Sequence, residues 1–84
     1  MSEQELKRRK SLLSTIAFEP SSTVTKLRTE METVHSIACS ADLLRADLGW
    51  LSEMGLVRWN GEIAQCTERG KDVAALRAKF PGEA

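Results

Sequence analysis

The sequence predicts a mainly α fold carrying one small β-hairpin near its C-terminal end. Three observations point there. Apolar residues recur at spacings of three and four through most of the chain, as they do along one face of a helix. The turn dipeptide Asn60-Gly61 separates two short runs, 56–59 and 62–66. Serine, threonine and glycine stand where helices are expected to begin and end.

The first helix is expected over residues 3–18. Leu6, Leu12, Leu13, Ile16 and Ala17 form its apolar stripe, with Lys7, Arg8, Arg9 and Lys10 between them. Pro20 then disfavours helical geometry at Glu19. Ser21 or Ser22 caps a second helix, whose core stripe is Val24, Leu27, Met31 and Val34. The stripe fades over residues 35–39, a short connection.

Ser40 is the expected cap of the third helix, and Asp42 places a carboxylate in its first turn, where the helix dipole favours one. Leu44, Leu48 and Leu51 supply the buried face, with Leu43 and Trp50 at its margin. Gly55 follows Met54, where a helix most readily ends on a left-handed residue. Asn-Gly accepts positive φ at both central positions, so the hairpin is expected to close in a type I′ turn. Thr67 caps a last helix over 68–80, with Val73, Leu76 and Phe80 inward, and Pro81-Gly82 ends it.

An isolated hairpin is marginal in water and must lie against the helices. The order helix-helix-helix-hairpin-helix is the winged helix-turn-helix arrangement, with the hairpin as wing. At 84 residues the chain makes a single domain, 1–84, with a small core.

Lysine plus arginine and aspartate plus glutamate both number 12, which counts against tight nonspecific DNA binding without excluding a local basic face. No apolar run is long enough to span a bilayer, and the N-terminus lacks the apolar core of a signal peptide. Cys39 and Cys66 are too few for a disulfide framework and read as reduced thiols in a cytoplasmic protein.

The stretches SADLLRADLGWLSEMGLV (40–57) and TERGKDVAALRAKFPG (67–82) resemble a family of small ArsR-like winged-helix proteins from Mu-like phages and prophages. The resemblance covers about half the chain; TERGKDVAA is its more distinctive piece, and before residue 40 only a helix pattern is shared. It implies a winged-helix fold, DNA binding inferred from that fold, and a bacterial host cell. Ala41 and Leu43 stand where relatives tend to carry more basic residues.

In such a fold the third helix enters the major groove and its first exposed residues reach the bases. Those positions are Ala41, Asp42, Arg45 and, further on, Gly49 and Ser52, and only Arg45 has the bidentate chemistry that reads guanine. Residues 40–54 nevertheless hold one arginine against Asp42, Asp47 and Glu53, a formal −2. Arg58 on the wing and the cluster Lys7, Arg8, Arg9 and Lys10 are the candidate phosphate contacts. Trp59, beside the turn, suits a core or partner contact better than stacking on nucleic acid.

His35 and Cys39 are four apart, a spacing that serves metal ligation only on a regular helix. They fall on the expected connection, no closed ligand set is present, and no metal or other cofactor is expected. With one histidine, no phosphate-binding glycine loop and no GxSxG, the chain is not expected to be an enzyme.

The expectation is a DNA-binding homodimer of regulatory or architectural role, its interface on the terminal helices. The alternative is a winged-helix scaffold that binds another phage or host protein instead of DNA, which the neutral charge and acidic third helix favour.

Overall fold

The computed structural model describes residues 1–83, folded as α1 (Glu3–Ala17), β1 (Ser22–Thr23), α2 (Val24–His35), α3 (Ala41–Glu53), β2 (Val57–Trp59), β3 (Ile63–Cys66) and α4 (Glu68–Ala74). The protein is mainly helical with a small antiparallel sheet. Each helix starts on a hydroxyl cap: the side chains of Ser2, Thr23, Ser40 and Thr67 accept from the backbone N–H three residues on.

The sheet has three strands in the order β1-β3-β2, where a two-stranded hairpin was expected. The added strand pairs Ser22 with Ala64 and Thr23 with Ile63. Two residues are too short to show alternation, which is why no sequence pattern marks them. Because Ser22 and Thr23 are extended, the cap of α2 is Thr23 rather than Ser21 or Ser22. Ser22 is buried, and its hydroxyl has no hydrogen-bond partner among the described residues.

The register Val57↔Cys66, Arg58↔Gln65, Trp59↔Ala64 makes Gly61 and Glu62 the central turn residues. Only Gly61 has positive φ, at +98°, which fits a type II′ turn and replaces the expected I′. Asn60 acts through its side chain, accepting from the N–H groups of Glu62 and Ile63 at 2.9 and 2.8 Å.

The core lies between α1, α2, α3 and the sheet. Leu12, Leu13, Ile16, Leu27, Met31, Leu44, Leu48, Leu51 and Leu56 are sealed in it. Trp50 and Trp59 are half-buried against it. Three expected core positions are not in it. Leu43 sits exposed on α3, and Val34, one turn past Met31, is exposed too. Leu76 is 87% exposed because α4 stops at Ala74.

That stop is a Schellman motif. Leu76 N–H bonds Val73 O at 3.1 Å, Arg77 N–H bonds Asp72 O at 2.8 Å, and Leu76 takes φ +63°. Freed from the helix, the chain turns Phe80 inward, with its ring 5.7 Å from that of Trp50. α3 ends in the same motif with glycine at the left-handed position: Gly55 has φ +77° and Leu56 N–H bonds Leu51 O at 2.9 Å.

Candidate nucleic-acid interface

α3 and the sheet set the geometry of this surface. The Gly55 turn fixes how β2 leaves α3, and Thr67 secures it, donating its hydroxyl to Gly55 O at 2.7 Å and its N–H to Leu56 O at 3.0 Å. Gly70 permits the close approach of α4 behind this corner. A Cβ there would collide with the Leu56 carbonyl and sit 2.7 Å from Cys66 Sγ.

The outward face of α3 presents Asp42, Leu43, Arg45, Ala46 and Glu53. Arg45 is exposed and pairs with Asp42 at 3.5 Å, the two standing one turn apart. Such a pair in water holds little energy and opens readily when a stronger acceptor arrives. Ala41 is half-buried at the start of α3, packed against the core. Arg58 is exposed on β2 and, with Lys7 on α1, has no ion-pair partner among the described residues.

The other members of the 7–10 cluster, expected as phosphate contacts, have carboxylate partners within the chain. Asp47 is fully buried on α3, and Arg8 and Arg9 of α1 converge on it. Arg8 grips it with Nε and a terminal nitrogen, the latter at 2.9 Å, and Arg9 Nε adds a bond at 3.0 Å. Arg9 also lies 4.4 Å over the Trp50 ring. Hydrogen bonding to Asp47 holds the Arg8 guanidinium above its ordinary pKa, against the burial that lowers it. Lys10 is bound to Glu83 at 2.8 Å.

Asp47 is thus the site residue that sequence reasoning counted only as one more acidic charge. Its signal was present: it stands three residues after Leu44 and four before Leu51, inside the apolar stripe. A carboxylate there must meet cations once buried.

His35 closes α2 and its Nε2 lies 2.9 Å from the Thr15 hydroxyl, which itself donates to Ser11 O. The imidazole therefore acts as a donor, a structural role. Burial pushes the thiols of both Cys39 and Cys66 up, so each stays protonated and a poor nucleophile. Among the described residues no group of three or more His, Cys, Asp and Glu is placed to hold a metal, and no helix is long and apolar enough to cross a membrane.

No protein-family model, curated protein or solved structure matches this chain.

Proposed function

We propose that this protein is a winged helix-turn-helix protein that binds double-stranded DNA. The observation that carries the reading is topological: α2 and α3 joined by a short connection, then a hairpin tied into a small sheet by a strand that precedes α2. In that arrangement α3 is the recognition helix and β2-β3 the wing. Arg45 reads the groove, leaving Asp42 for a base edge or phosphate. Arg58 and Lys7 contact the backbone. Arg8 and Arg9 hold α1 against α3 and take no part in the DNA contact.

Fluorescence anisotropy with mixed-sequence duplex tests this, run at about 50 and 200 mM salt, the range over which phosphate-driven affinity falls steeply. Binding at the lower salt that collapses at the higher is expected. No binding at the lower salt rejects the reading.

A second reading, a scaffold for protein partners, is favoured by one observation. The exposed α3 face sets Arg45 against Asp42 and Glu53, a formal −1, with Asp42 almost wholly in solvent.

A further inference from the structure

We infer that this protein binds a small anionic amphiphile, a fatty carboxylate, in the cleft between α1 and the segment that follows α4. The inference rests on the walls of that cleft and needs no DNA contact.

The cleft has a volume of about 560 Å³, within the range of about 300–1,000 Å³ usual for small-molecule sites. Leu13 of α1, Val73 of α4 and Phe80 line it as buried side chains, and Leu76 lines it as an exposed one. A concave surface built over buried apolar groups suits an occupant with an apolar body.

The charges of the lining are one-sided. Lys10, Arg77 and Lys79 are set against a single carboxylate, Glu83, a formal +2 in a chain whose total is zero. Glu83 is already engaged, with Lys10 Nζ 2.8 Å from its carboxylate. Arg77 and Lys79 are exposed and have no ion-pair partner among the described residues. Two uncompensated cations beside an apolar cleft call for a hydrocarbon tail with an anionic head. Arg77 offers the planar fork that takes a carboxylate through two parallel hydrogen bonds. A neutral ligand leaves both cations unanswered, and a cationic one is repelled.

Leu76 supplies the second observation. It holds a left-handed φ of +63°, where its cap motif ordinarily takes glycine. Its side chain is also 87% exposed. In the lone chain glycine would avoid both the strain and the exposed apolar area, and strain of this kind marks functional positions. With a tail in the cleft, the Leu76 side chain gains an apolar partner and closes the open side over it.

The test is a titration of the chain with sodium decanoate, kept well below its micelle-forming concentration and followed by proton–nitrogen correlation NMR. Saturable shifts are expected at the amides of residues 10–14 and 73–80, with those of Arg45 and Ala46 on the exposed face of α3 unmoved. Decanol and decyltrimethylammonium should each bind at least tenfold more weakly than decanoate. Arg77→Ala/Lys79→Ala should weaken decanoate about tenfold, with the helical circular dichroism unchanged because both side chains lie in solvent. Leu76→Gly separates a ligand contact from a structural role: it should melt no lower than wild type, yet bind decanoate several-fold more weakly. Absence of saturable shifts overturns the proposal, as do shifts centred outside the cleft. So does binding that decanol matches, or affinity unchanged in Arg77→Ala/Lys79→Ala or in Leu76→Gly. None of these results bears on whether the protein binds DNA.

Discussion

Arg8 and Arg9 on one side, Arg45 and Arg58 on the other, are alike as letters and opposite in use. The first pair is turned inward onto a fully buried carboxylate, with side chains only 12 and 15% exposed. The second pair stands in solvent, one on a surface ion pair and one with no ion partner among the described residues. A run of basic residues therefore says little about direction. What decides it is whether the fold buries a carboxylate within reach, and here α3 carries one among its leucines.

The sharpest way to break this contrast is Asp47→Ala. It leaves two guanidiniums against the core without their acceptor, and removing one partner of a buried ion pair costs about 3–5 kcal/mol. Chemical denaturation should show a loss of that size, a large share of a small domain's stability. The triple change Arg8→Met, Arg9→Met, Asp47→Leu removes the charges together and should be markedly more stable than Asp47→Ala alone.

On the exposed side the effects move from stability to binding. Arg45→Ala should cost about 1–3 kcal/mol of discrimination at a specific DNA site, measured by anisotropy. Its unfolding free energy should stay within about 0.5 kcal/mol of wild type. Arg58→Ala should weaken DNA binding evenly across sequences and lower the salt slope by about 1.

The smallest effect concerns the thiols. Both are raised by burial, so the thiolate fraction near pH 8 is below that of an ordinary cysteine. Iodoacetamide should modify the native chain more slowly than the unfolded one, and the rate should climb as pH rises toward the raised pKa values. Equal rates would mean that neither sulfur is shielded.

Much of the fold was legible because its determinants are local. Ser40 and Thr67 announce helix starts, Gly55 a helix end, and the stripe Leu44, Leu48, Leu51 a buried face. The errors came where distant partners decide. β1 exists because β3 is there to pair with it, and Thr23 rather than a neighbouring serine became the cap as a result. Leu76 had helical spacing, but α4 ended before it. The candidate site was legible at Arg45 and Arg58, whose exposure follows from their place in the pattern. It was not legible at Arg8 and Arg9, whose partner lies 39 and 38 residues away.

Thr23 closes β1 and also caps α2, with a single extended backbone geometry, φ −89° and ψ 161°, serving both. No flexible joint separates the sheet from that helix. Motion of the β1–β3 edge is therefore transmitted to the first turn of α2. The two should relax as one body on the microsecond-to-millisecond scale, with a shared exchange rate in relaxation-dispersion measurements. α3, reached from α2 through residues 36–40, is held to α1 by Asp47.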